Sequence, residues 1–226
     1  MNKEIRNKKI TPLLMSEVMI RAYRENRKCQ TRRLRGLEEV NENPDDWEFL
    51  AWAFNEYKEK RYLFVNKKLG KTIDIKCPYG QAGDGLIFKE SFLLPSHISG
   101  IPKNPVPVWY CADGSPTWGS WGKKNPSLFM PFWAIRNYPD ILNIQAMRLN
   151  DIDEGDILEE GIERDPDGDP KKLFSKFTDL WDSLNGKKYL AWQNPWVWRI
   201  LFEDYEFTFD NYEAEIYHYE GLVNHE

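Results

Sequence analysis

Histidine and cysteine are scarce in this chain. His97, His218 and His225 stand far apart, none with a second ligand at metal-binding spacing, so no zinc centre is expected. Cys29, Cys77 and Cys111 are odd in number and form no paired spacing, which argues against a disulfide framework and suits a reducing compartment. No apolar run approaches membrane-spanning length, and the N-terminus has no apolar segment of signal-peptide type. A soluble cytoplasmic protein with no membrane partner is expected. Gly80, Gly83 and Gly85 invite comparison with nucleotide loops, but no Gly-Lys-Ser/Thr and no helix-opening dinucleotide pattern accompanies them. Phosphate cradling is therefore not expected, and no cofactor or metal is implied. The acidic turn at 165–170 looks like a calcium loop but lacks the remaining ligands at the proper spacing. Internal repeats are absent.

What is present is aromatic and unevenly charged. Ten tryptophans among 226 residues argue for a packed core rather than disorder. The net charge is −5, yet residues 1–35 hold eleven Lys/Arg against three Glu. A basic lobe on an acidic body suits an anionic ligand bound locally, or else a solvated arm followed by a cationic helix end.

Along the chain, residues 1–11 read as a basic flexible N-terminal arm, 12–203 as one domain, and 204–226 as an acidic aromatic C-terminal extension that adds a strand or engages a protein partner. Residues 10–15 suggest a strand broken by Pro12. Ser16 and Glu17 open a helix that Asn26 can close in a left-handed conformation. Residues 47–57 suggest a further helix; strands are expected at 62–65, 72–76, 86–90, 108–112, 142–149 and 196–203. Residues 93–108 and 114–131 read as long loops, 150–161 as a short acidic helix held by Ile157 and Leu158, and 173–184 as an amphipathic helix. The irregular mixture of strands and helices points to an α+β fold built around a compact β-barrel.

Lys28 and Thr31 carry the sharpest chemical signal. If their segment is helical, residues three apart share a face, and an amine beside a hydroxyl is a minimal base–nucleophile pair. A cationic helix end that merely complements the helix dipole is the ordinary alternative. Trp133, Trp196 and Trp198 are candidates for stacking nucleobases.

Several blocks taken in order resemble one family. They are residues 15–33; Cys77-Pro78-Tyr79-Gly80 with Gly83-Asp84 leading to Lys89-Glu90; Met130-Pro131-Phe132-Trp133-Ala134; 149–162; 180–186; and Asn194-Pro195-Trp196-Val197-Trp198. Together they look like the ASCH domains encoded by bacteriophages and prophages. The resemblance implies a PUA-like (ASCH) β-barrel with flanking helices and long loop insertions, and PUA-like barrels often bind RNA. For a phage-encoded protein the location would be the host cytoplasm. One branch consists of small amidohydrolases that deacetylate N(4)-acetylcytidine with a Lys-x-x-Thr motif and a later glutamate. Lys28 and Thr31 match that motif, and the stretch from 149 aligns the glutamate with Glu160.

By this resemblance the chain is expected to be an amidohydrolase acting on an N-acylated pyrimidine nucleoside. Thr31 would be nucleophile, Lys28 base and Glu160 partner and proton carrier, with Arg27, Arg32, Arg33, Glu90 and Trp133 as ligand contacts. The alternative is a non-catalytic module that binds RNA or a modified nucleotide. Departures from the family are Asn26 in place of a glycine, Cys29 in place of a common threonine, and Phe129 and Phe132 where phage members carry His and Arg.

Overall fold

The structure, a computed structural model, describes residues 8–203. Strand β1 (Ile10–Leu14) is continuous through Pro12 and pairs in parallel with β6 (Gly85–Lys89). Proline does not break it because β1 is an edge strand, where a missing N–H donor deprives no second neighbour. It also begins inside the segment assigned to the N-terminal arm. Helix α1 (Glu17–Arg24) follows, capped by the Ser16 hydroxyl, which accepts from the Met19 amide, and Asn26 beyond it is left-handed at φ +57°.

Residues 28–33 are not helical. They run extended into β2 (Gln30–Arg33), which pairs antiparallel with β10 (Trp196–Glu203). The other element to differ from expectation is 47–57. It forms strand β3 (Trp47–Phe54), because Trp47 and Phe49 alternate onto a face shared with Phe64, and pairing with β4 (Lys60–Asn66) outweighs helical spacing. Strand β5 (Thr72–Lys76) completes that three-stranded sheet.

The larger sheet has the order β1-β6-β9-β10-β2, with β9 spanning Asp140–Arg148. A short pair, β7 (Phe92–Leu93) and β8 (Trp109–Tyr110), flanks the long loop between them. The fold is thus mixed α+β, mostly sheet. The described strands do not join into one closed hydrogen-bonded barrel. Between the edges of the larger sheet, Arg33 on β2 reaches across to the Leu14 carbonyl at the end of β1.

Strand β10 is the spine. Trp196, Trp198, Ile200 and Phe202 enter one core with Tyr62 and Phe64 of β4 and Tyr23 of α1. Val197 points the other way, into a second core with Ile157 of α2 (Glu154–Glu159) and Leu173, Phe177 and Trp181 of α3 (Pro170–Asn185). Alternation along a strand buried on both faces accounts for this division. The acidic turn before α3 provides its cap: Asp169 accepts from the Lys171 amide, and Pro170 occupies the first turn. A third cluster gathers Ile87 and Phe92 with Met130 and Ile135.

Candidate functional site

Three residues of the extended segment, Lys28, Gln30 and Arg32, converge on the end of α2. Lys28 is 3% exposed, and its Nζ donates three hydrogen bonds, each 2.8 Å, to the Gln30 carbonyl, the Glu160 carbonyl and Glu160 Oε2. Arg32 donates to Glu160 Oε1 at 3.0 Å and to Asp156 Oδ2 at 2.8 Å. Gln30 binds Asp156 and Glu159, and Arg199 reaches Asp156 Oδ1 at 2.6 Å. Burial pushes the Glu160 carboxyl up, but Lys28 and Arg32 outweigh it and hold its pKa below the ordinary carboxylate value. Burial lowers the Lys28 ammonium, against the pull of Glu160.

Gly161 makes this approach possible. It sits at φ +88°, and a Cβ there would meet the Ala22 Cβ at 2.7 Å and the Lys28 Cβ at 3.1 Å. The last turn of α1 and the end of α2 therefore close on each other over a bare backbone.

Thr31 lies on the other face of β2. Its register partner is Ile200, in the first core, whereas Arg32 opposes Arg199 on the side of Asp156. In an extended segment an odd separation puts side chains on opposite faces. Thr31 makes no side-chain hydrogen bond to Lys28 or Glu160 among the described residues. Arg33 shares its face and pairs with no carboxylate among the described residues. Among the described residues its Nη2 meets the Leu14 carbonyl at 3.3 Å and the Met15 sulfur at 3.6 Å, and its Nε is shut off from solvent without a partner. Burial lowers its pKa.

Other expected contacts lie elsewhere. Arg27 is engaged by Glu25 and by Glu163 at 3.3 Å. It lines a cleft of about 520 Å³ with Val18, Met19 and Leu180, whose walls include Gly161 but none of Lys28, Thr31 and Glu160. Glu90 is fully buried and held by Arg136 at 2.8 and 3.0 Å and by Asn137 at 3.0 Å. Trp133 donates to the Pro102 carbonyl within the third cluster. Trp196 and Trp198 are buried, their indole N–H groups bonded to the Pro44 and Arg35 carbonyls, so neither presents a face for stacking.

Sequence reading missed Asp156, Gln30 and Arg199, which share the ionic face. Gln30 two residues from Lys28 was the available signal, legible only once the segment is read as strand. Among the described residues no three His, Cys, Asp or Glu side chains are grouped to hold a metal ion, and no helix is long and apolar enough to cross a membrane. No protein-family model, curated protein or solved structure matches the chain.

Proposed function

We propose that the protein is a PUA-like module of the ASCH kind that binds RNA or a modified nucleotide, without chemistry, at the face of β2 that carries Arg33. One contrast carries this reading. Lys28 and Arg32 spend their donors on Glu160 and Asp156, while Arg33 beside them meets no carboxylate among the described residues. Around this strand the four cations Lys28, Arg32, Arg33 and Arg199 outnumber the three acids Asp156, Glu159 and Glu160 by one, so the local field leans toward an anion. A guanidinium with spare donors suits a phosphate or carbonyl oxygen. Anisotropy titrations of labelled single-stranded RNA against salt test it. Affinity should fall steeply with salt, and Arg33→Leu should weaken it severalfold; salt-insensitive or absent binding would count against the reading.

A second reading, amidohydrolysis of an N-acylated pyrimidine nucleoside, is favoured by the 2.8 Å contact of Lys28 with Glu160 and by the burial-lowered ammonium. Thr31 Oγ1 would bond to the acyl carbon as neutral Lys28 takes its proton. The C–N bond would then break, with that proton passing to the departing amine and water later cleaving the acyl-threonine ester. It requires Lys28 to give up its three acceptors and Thr31 to turn toward it. Mass-spectrometric turnover of N(4)-acetylcytidine decides between the two. Product formed by the wild type and lost in both Lys28→Ala and Thr31→Val would replace the binding reading with the hydrolytic one.

A further inference from the structure

Strand β3 changes its facing half-way along. Phe49 opposes Phe64, a fully buried core residue, but the register shifts between Phe49 and Ala51, leaving Leu50 unpaired in a bulge. An extra residue in one strand inverts the alternation beyond it. Past the bulge Trp52 opposes Tyr62 and Phe54 opposes Lys60, so both aromatics stand on the side of the sheet that Tyr62 and Phe64 bury. The core ends before it reaches them. Trp52 is 53% and Phe54 58% exposed, and Tyr57 at the turn is more exposed still.

The two rings meet edge to face at 5.8 Å, and the Lys60 Nζ lies 4.5 Å from the Trp52 ring centroid. Lys60 is fixed from the other side. Its Nζ donates to the Ile144 carbonyl at 3.1 Å, as does the Tyr62 hydroxyl at 2.7 Å, and it pairs with no carboxylate among the described residues. Residues 47–76 carry seven Lys/Arg against four Asp/Glu, but Lys68 and Lys71, beyond the far end of β4, are paired with Asp46 and Glu39. Two of the four acids, Asp74 and Glu59, are already bound to Arg61 and Lys76.

From these juxtaposed features we infer that the β3–β4 hairpin is a stacking platform for single-stranded nucleic acid, on a surface separate from the Arg33 face. Exposed rings two residues apart on one strand face, beside the Lys60 ammonium, match a polymer with a π-face on every unit and a negative charge on every link. A protein partner of ordinary composition would answer the apolar rings but leave the Lys60 ammonium beside them without a counter-ion. Bases would stack on Trp52 and Phe54 while Lys60 meets the backbone phosphate, with little preference for sequence. A duplex, whose bases are already stacked, should bind poorly there.

The test is fluorescence anisotropy with labelled twelve-nucleotide oligo-U and oligo-A and an RNA duplex of the same length, using the full chain. Trp52→Ala should raise Kd for both single strands about tenfold, Trp52→Phe should recover most of the loss, and Lys60→Met should reduce the salt slope by about one. Thermal melts should be nearly unchanged, because the rings are half exposed. The inference is overturned by unaltered affinity in Trp52→Ala and Phe54→Ala, by duplex binding as tight as single strands, or by absence of binding in the wild type. A dimer in sedimentation that Trp52→Ala dissolves would also overturn it and assign the rings to a second copy. Weakening by Trp52→Ala with no effect of Arg33→Leu would sink the β2 reading and leave this one standing; the reverse pattern would do the opposite.

Discussion

The two faces of β2 carry neighbouring residues under opposite rules. Toward α2, Lys28, Gln30 and Arg32 meet Asp156, Glu159 and Glu160 in a buried network whose donors and acceptors answer one another. Toward the first core, Thr31 and Arg33 find a packed wall, one carbonyl and one sulfur. Buried charges persist only when paired, so the first face is committed to holding α2 against the sheet. Arg33 on the second face meets no carboxylate among the described residues, which is the observation behind the proposed RNA contact. Proximity in sequence is therefore a poor guide to shared work here.

Removing the central carboxylate should break the comparison most severely. Glu160→Ala leaves Lys28 and Arg32 buried without their shared partner and is expected to lower stability by about 3–5 kcal/mol in urea unfolding. A Lys28→Met/Glu160→Leu double variant should lose less than Glu160→Ala alone, since it strands fewer charges; an equal or greater loss would show that packing, not charge, holds the contact.

A gentler version uses pH. The Glu160 carboxyl is held below its ordinary value in the folded protein, so the folded state keeps it ionised where the unfolded chain would take up a proton. Its contribution is complete above the ordinary glutamate pKa of about 4.3 and fades as pH falls through the lower folded value. Melting curves between pH 6 and pH 3 should decline more steeply for the wild type than for Glu160→Gln. Parallel curves would contradict the assignment.

The smallest effect should come from the opposite face. Thr31→Val exchanges a hydroxyl that makes no hydrogen bond among the described residues for a methyl group and should change stability by less than about 0.5 kcal/mol, in either direction. A loss above about 1 kcal/mol would reveal a hydrogen bond to the Thr31 hydroxyl in solution.

Much of the framework was legible beforehand because it rests on local rules. The Ser16 cap, the left-handed Asn26, the Leu173–Phe177–Trp181 stripe and the alternation of β10 each follow from a few adjacent residues. Glu160 was placed beside Lys28 by resemblance, and the two do touch, 132 residues apart in sequence. What escaped was non-local. Whether residues 28–31 coil or extend depends on β10 offering its edge, and the run of Trp52 and Phe54 reads as helix or strand until β4 pairs with it. The bulge at Leu50 has no signature in composition, yet it decides which side of the sheet both rings occupy.

The bare backbone at Gly161 has a further consequence. The spacing between the last turn of α1 and the end of α2 is set by a missing carbon, so position 161 works as a mechanical wedge point. A single methyl inserted there would force the left-handed backbone to carry a side chain and drive Ala22 and Lys28 away from Glu160. Salt and pH have no grip on such a displacement. The ionic face could thus be pried open sterically with every charge left in place.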